Sequence, residues 1–327
     1  VILRQAGLLI VALLALLGGL LVGGTQLPVP AVVTALLHPH GNDTSTIVWQ
    51  LRLPRVAIGA LVGASLAIAG ALLQGMLRNP LVDPFLTGVS AGAAVAIVAG
   101  MSAGISAAAV PALGFGAGTA TALLVAALAR RGAGLDPTRL ILAGVSLSSF
   151  FSAIIAFTLT RLQTTEAAPA IIGWLAGSLA ARGWSDLAFA SPYTIAGIAL
   201  ALLSVPALNA LRLGDIRAAS IGVNVARAQW TILTAASLLT AASVTLAGTI
   251  GFVGLVVPHV ARRIVGSDAR AVIPASALLG ATLTIAADAL CRSLFAPTEI
   301  PIGVLLAFIG VPAFLYLYLR DRRTAAA

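Results

Sequence analysis

The side chains with obvious acid–base or metal-ligating chemistry are few: ten carboxylates, three histidines and one cysteine in 327 residues. Their spacing assembles nothing catalytic. Cys291 stands alone, so no intrachain disulfide and no Cys-x-x-Cys metal or redox site can form. His38, His40 and His259 do not fall into a His-Glu-x-x-His pattern, and no Ser/His/Asp arrangement is visible. A metal or haem contact is the minor reading for each histidine, and no metal ligand is expected in the chain. All 19 basic residues are arginine. A chain without lysine cannot hold the GxxxxGK[ST] phosphate loop, so ATP-driven work would need another subunit. What remains are short arginine-bearing stretches: "RLPR" at 52–55, "LGDIRAASIG" at 213–222 and "PHVARR" at 258–263.

The elements that carry these stretches are apolar. Hydrophobic residues make up 60% of the chain, charged residues 9%, and the mean hydropathy is +1.07. Soluble domains carry about 25% charged residues, so the expected fold class is all-α, a polytopic membrane protein forming one domain over 1–327. The net charge of +9 is spread between apolar runs and does not gather on a soluble face, which argues against a nucleic-acid partner. A crossing helix needs about 20 apolar residues. Suitable runs lie near 6–27, 56–77, 85–101, 107–129, 139–160, 187–208, 271–291 and 301–319. The first is read as a retained span, not a cleaved leader. The run 229–265 would extend about 55 Å as one helix, too long for one crossing, so it is expected to turn back near Gly248, Gly251 and Gly254. The expected total is ten spans.

Arginine placement tests that count. With both termini in the cytoplasm, Arg4, Arg78, Arg130, Arg131, Arg139, Arg212, Arg217, Arg227, Arg262, Arg263, Arg270, Arg320, Arg322 and Arg323 fall inside. Only Arg52, Arg55, Arg161, Arg182 and Arg292 fall outside, which is the sense the orientation rule requires. A single span over 229–265 would reverse everything after it. The carboxylates lie in loops or near span ends, with Asp288 nearest to the membrane interior, so the mid-span acid expected of an ion-coupled carrier is missing.

Two stretches keep alternative readings open on residues alone. The outward pair Arg52 and Arg55 either snorkels to headgroups or docks acidic groups of an extracytoplasmic partner. The loop Leu213-Gly214-Asp215, with Arg217, Ala218, Ala219, Ser220, Ile221 and Gly222, is either a bare interfacial helix or a docking element whose small residues permit close approach. "RNPLVDP" at 78–84 reads as a rigid turn.

Four stretches taken together resemble one family. They are "RLPRVAIGALVGASLAIAGALLQGMLRNPLVDPFLTGVSAGA" (52–93), "LGDIRAASIGVNVAR" (213–227), "GTIGFVGLVVPHVARRIVGSDAR" (248–270) and "EIPIGVLLAFIGVPAFLYLYL" (299–319). The chain is similar over about 50–320 to the permease subunits of bacterial type II ATP-binding-cassette importers for haem, ferric siderophores and cobalamin. That resemblance implies ten spans per subunit and a homodimer in the inner membrane. It also implies two cytoplasmic ATPase subunits, which bind the ATP and magnesium, and one periplasmic binding protein; the permease binds no cofactor. It implies that Arg52, Arg55 and Arg292 meet acidic groups of the binding protein, and that short coupling helices at about 213–227 dock on the ATPase. The segment at about 164–184, with Ile172, Gly173, Trp174, Gly177 and Ser178, would form the outer gate. Haem or another ferric iron complex is the leading expectation for cargo. A corrinoid is the alternative within the family, and ion-coupled transport the alternative outside it.

Overall fold

The first apolar run forms α1 (Ile2–Leu21), and short helices α2 (Val29–Leu37) and α3 (Asp43–Thr46) follow it. A six-residue π-helix, Ile47–Arg52, then leads into α4 (Leu53–Leu77). Pro54 lies in the first turn of α4, where a missing N–H costs least. The chain continues through a 3₁₀ turn (Pro84–Thr87), α5 (Val89–Ser102) and α6 (Val110–Leu128) to a minimal hairpin of β1 (Arg130–Arg131) and β2 (Gly134–Leu135). Next come α7 (Pro137–Arg161), α8 (Ala167–Leu175), α9 (Trp184–Leu203), α10 (Val205–Leu211) and α11 (Asp215–Ser220). The last four are α12 (Val225–Ala247), α13 (Val253–Val265), α14 (Ala269–Ser293) and α15 (Ile302–Ala325). This computed structural model describes residues 2–23, 27–39, 43–106, 108–161, 167–294 and 298–325. His40, positions 164–166 of the expected gate segment, and the side chains of Arg320, Arg322 and Arg323 lie outside that description.

Each of the nine apolar runs carries a helix, and 229–265 carries two. Among the described residues, seven helices are long and apolar enough to cross a membrane. The other three are shorter: α5 has 14 residues, α13 has 13, and the apolar part of α15 is Ile302–Tyr316. The run expected at 187–208 is two helices, because α10 starts afresh at Val205, just after Ser204, with Pro206 in its first turn.

The core forms around α4, which is buried on most of its circumference. Gly63 packs on Gly280, and Arg55 meets Asp288, so α4 and α14 run antiparallel. A Cβ on Gly63 would lie 2.1 Å from the Gly280 carbonyl oxygen, so the two backbones approach as only glycine allows. Near its start α4 shares an apolar cluster with Ala242 and Leu246. Near its end Leu72 and Met76 cluster with Ile232 and Leu233. Helix α12 is therefore antiparallel to α4. Helix α13 runs the other way: its start, Gly254, packs on Gly70, and Arg262 near its end donates to Gln74 of α4.

The chain thus reverses between α12 and α13, as the length of 229–265 requires. The reversal uses two residues at positive φ, Gly248 (+70°) and Phe252 (+68°). Gly248 also has no room for a side chain, since a Cβ there would sit 2.1 Å from the Trp174 oxygen.

The same packing sorts the arginines between the two ends of the bundle. Arg4 donates to the Ile264 carbonyl, Arg78 pairs with Asp215, and the β1–β2 hairpin is tied to the start of α12 by Leu135 N–H donating to Gln229. These contacts gather the groups around Arg4, Arg78, Arg130, Arg212, Arg227 and Arg262 at the α11 end. Arg52, Arg55 and Arg292 lie at the opposite end.

Candidate functional site

At the end opposite α11 the three singled-out arginines form one cluster with two acids. Arg55 reaches Asp288 through Nε and Nη2, at 3.1 and 2.9 Å from Oδ1, and meets Glu299 at 2.9 Å. Asp288 also pairs with Nε of Arg292, one helical turn along α14, at 2.9 Å. Arg52 donates to the carbonyls of Leu20 and Leu21, and Arg292 to those of Gly19 and Val22. These are acceptors at the end of α1 that have no amide partner within the helix, and a helix C-terminus attracts cations. Residues alone leave Arg52 and Arg55 either snorkelling or docking, and the family resemblance implies a landing surface formed by Arg52, Arg55 and Arg292. The structure turns Arg52 and Arg292 inward, leaving each 4% exposed. Their guanidinium groups serve carbonyls some 30 and 270 residues away, partners that a local reading of RLPR does not contain. Arg55 is nearly as enclosed, whereas the Glu299 side chain is 40% exposed. Nearby, Trp184 donates its indole N–H to the Trp49 carbonyl, fastening α9 to the π-helix.

The residues expected to couple to an ATPase occupy a separate place. Gly214, at φ +103°, turns the chain into α11, and Gly222, at φ +87°, takes it out. Asn224 then caps α12 by accepting from the Arg227 amide. Ala218 is buried, and Asp215 is held 2.7 Å from Arg78. Leu213, Ile221 and above all Ile216, 88% exposed, have their apolar side chains uncovered. Ile216 was absent from the residues singled out by sequence. The signal was available, since an isoleucine between Asp215 and Arg217 on a short polar helix has no core to face.

The expected gate segment is bolted to the chain reversal. Ser178 N–H donates to the Ala247 carbonyl at 2.8 Å, Gly303 N–H donates to the Gly177 carbonyl at 3.3 Å, and Thr249 donates to the Leu175 carbonyl. Trp174 lends its carbonyl to the close approach at Gly248, while Ile172 is exposed and Gly173 half-buried. Beside this junction lies a cavity of about 1110 Å³ walled by α5, α7, α8 and α15. Its lining includes Ser90, Ser148, Ser149, Ser152 and Thr249 among alanines, glycines and larger apolar side chains such as Phe85, Leu159 and Phe252. The hydroxyls of Ser90 and Ser148 have no hydrogen-bond partner among the described residues. The cavity is a mainly apolar space dotted with hydroxyls, large enough for a bulky solute. Among the described residues no cluster of three or more His, Cys, Asp or Glu could hold a metal ion.

Such a bundle, with a wide cavity against helices of crossing length and an uncovered apolar–charged helix at one end, defines a multi-pass transport permease. The sequence profile of the FecCD transport family matches residues 8–320, and the chain belongs to that family. It is 40% identical to the cobalamin import permease BtuC of Halobacterium salinarum, across 92% of this chain and 81% of that one. It is 37% identical to the hemin transport permease HmuU of Yersinia pestis, across 88% and 87%. The solved structure of an inward-facing metal-chelate type ABC transporter superposes with a TM-score of 0.88 at 32% identity, covering 97% of this chain and 98% of that one.

Proposed function

We propose that this chain is the membrane subunit of an inner-membrane importer for haem or another ferric iron complex. It would work as a homodimer of ten-span subunits with both termini in the cytoplasm, powered by two separate ATPase subunits. The single observation that carries this reading is the 1110 Å³ cavity between α5, α7, α8 and α15. Its walls offer hydroxyls and apolar side chains but no ionised group, which suits a large cargo handed over by a binding protein and held loosely in transit. α7 and α15 leave large apolar side chains uncovered, among them Phe150, Phe157 and Phe308, and a second copy of the chain closes that side. α8 and the Gly177–Ser178 turn, fixed to the chain reversal, act as the outer gate. The ATPase docks over α11, with Leu213, Ile216 and Ile221 as its apolar contacts.

The binding protein lands at the Arg55 end. With Arg52 and Arg292 engaged inside, acidic groups of that partner reach Arg55 in competition with Glu299 and release the segment that begins α15. ATP binding and release then bias a two-state switch between outward and inward openings.

The test is uptake by proteoliposomes containing the permease and its ATPase, with the cognate binding protein and radiolabelled iron chelate or haem outside. Uptake that requires internal ATP supports the proposal. Uptake driven by an ion gradient without ATP would overturn it, and ATP-driven uptake of a corrinoid in place of iron chelates would change the cargo alone.

A further inference from the structure

A cavity of about 250 Å³ opens at the α11 end, between the end of α4, α10 and the junction of α13 with α14. Three arginines from three different elements line it: Arg78, Arg212 and Arg262. Only Arg78 has a carboxylate partner, Asp215. Arg262 is half-buried and donates to the neutral side-chain amide of Gln74. Arg212 makes no hydrogen bond or ion pair among the described residues. The nearby acid, Asp268, is taken up by the Asn209 amide and by capping the backbone N–H of Arg270. Arg212 is exposed at the rim, where Asp268 is within electrostatic reach of it, whereas Arg262 is half-buried with no carboxylate at ion-pair distance among the described residues. A half-buried charge such as that of Arg262 is costly without a counter-charge, and an anion seated between it and Arg212 would supply one. Below the arginines the wall turns apolar, with Ala71, Leu208, Val272 and Ile273.

We propose that this recess binds a phosphate ester, whose oxygens engage Arg212 and Arg262 while its apolar continuation lies on Leu208 and Ile273. Planar guanidinium forks match phosphate oxygens two by two. The position agrees, because the arginines stand at or just beyond the ends of helices α4, α10 and α13, the level at which lipid phosphates lie, and basic pockets between spans on the cytoplasmic side bind anionic headgroups. The volume admits a headgroup phosphate and its glycerol but is small for a nucleotide. The same chemistry could come from an anionic phospholipid or from free phosphate, and the experiment separates them. The proposal does not depend on what the permease transports.

The measurement is binding to the purified full-length permease in a neutral detergent, followed by native mass spectrometry and thermal stabilisation. The probes are dihexanoyl phosphatidylglycerol, dihexanoyl phosphatidylcholine and inorganic phosphate. The variants are Arg212→Gln, at an exposed side chain that makes no hydrogen bond or ion pair among the described residues, and Arg139→Gln, an exposed arginine outside the recess at the same end. Phosphatidylglycerol is expected to bind the wild type and Arg139→Gln alike, with phosphatidylcholine much weaker. Arg212→Gln should lose at least about tenfold in affinity, the worth of one charged hydrogen-bonding partner. If inorganic phosphate binds as well as phosphatidylglycerol and is lost with Arg212→Gln, the phosphate group alone is recognised; if only the lipid binds, the chain contributes too. Either supports the site. Absence of binding by both anions, or binding indifferent to Arg212→Gln, overturns it. Anion binding that is absent while Arg212→Gln weakens co-purification of the ATPase overturns it in favour of an acidic side chain of that subunit.

Discussion

Arg55 and Asp288, 233 residues apart in the chain, meet through two nitrogens of one guanidinium at 3.1 and 2.9 Å. Asp288 simultaneously neutralises Arg292, which with Arg52 closes off the last carbonyls of α1. One carboxylate thus joins α4 to α14 and indirectly secures α1. Removing one member of such a buried set leaves the others charged and unpaired, which costs more than the intact pair contributes.

Asp288→Asn is accordingly expected to destabilise the permease by about 3–5 kcal/mol. Glu299→Gln, at a side chain 40% exposed, should cost no more than about 1 kcal/mol. Thermal unfolding in detergent measures both. Equal losses would show that Asp288 is not the keystone of the cluster.

Arg52→Glu is expected to disturb the fold itself, since it places an acceptor against the Leu20 and Leu21 carbonyls. Limited proteolysis should cut the α1–α2 connection faster in this variant. If the purified variant keeps wild-type protease resistance and loses only its binding protein, Arg52 is a surface docking residue after all.

Tight backbone crossings make their own prediction. A Cβ on Gly70 would stand 1.9 Å from the Gly254 carbonyl oxygen, whereas one on Gly7 meets nothing within 4 Å. Gly70→Ala should cost about 1–3 kcal/mol or prevent insertion, through overpacking between α4 and α13. Gly7→Ala should be neutral within about 0.5 kcal/mol. Comparable expression and melting of the two would contradict the crossing.

Ile216→Asp should leave melting unchanged, because the side chain is 88% exposed, yet reduce ATPase affinity by at least about tenfold through the loss of an apolar anchor. Pull-down of the ATPase against permease concentration reads this directly. Undiminished capture would mean that α11 is not the docking element.

Asp83 caps the 3₁₀ turn after α4. Desolvation by burial pushes its carboxyl up to about 6, against the opposing hydrogen bond from the Phe85 amide. The folded state therefore holds this proton more tightly than the unfolded chain. Stability should be greatest below pH 4 as far as this group is concerned, and fall as pH rises through 4 to 6, by about 1–3 kcal/mol. Asp83→Asn should flatten that part of the pH profile. A wild-type profile already flat between pH 4 and 6 would remove the basis for this assignment.

The sequence by itself determined the class of fold and the sorting of charge. Span-length apolar runs, the impossibility of 229–265 as one crossing and the bias of arginine toward one end are properties of segments read one at a time. The break at Gly248–Phe252 could be expected because no membrane is thick enough for 37 continuous helical residues. The short charged helix α11 was legible as an element, but the exposure of Ile216 on it was not singled out. What only the tertiary structure decided was where side chains find their partners. RLPR could not disclose that Arg52 serves the end of α1, that Arg55 has two acids from the far end of the chain, or that Arg212 and Arg262 face one recess. Nor could a count of 33 glycines single out Gly63 with Gly280 and Gly70 with Gly254. Helix formation and hydrophobic span length are local. A charge in an apolar bundle is stable only where distant segments bring a counter-charge or an unsatisfied carbonyl to it, and that meeting is fixed by packing.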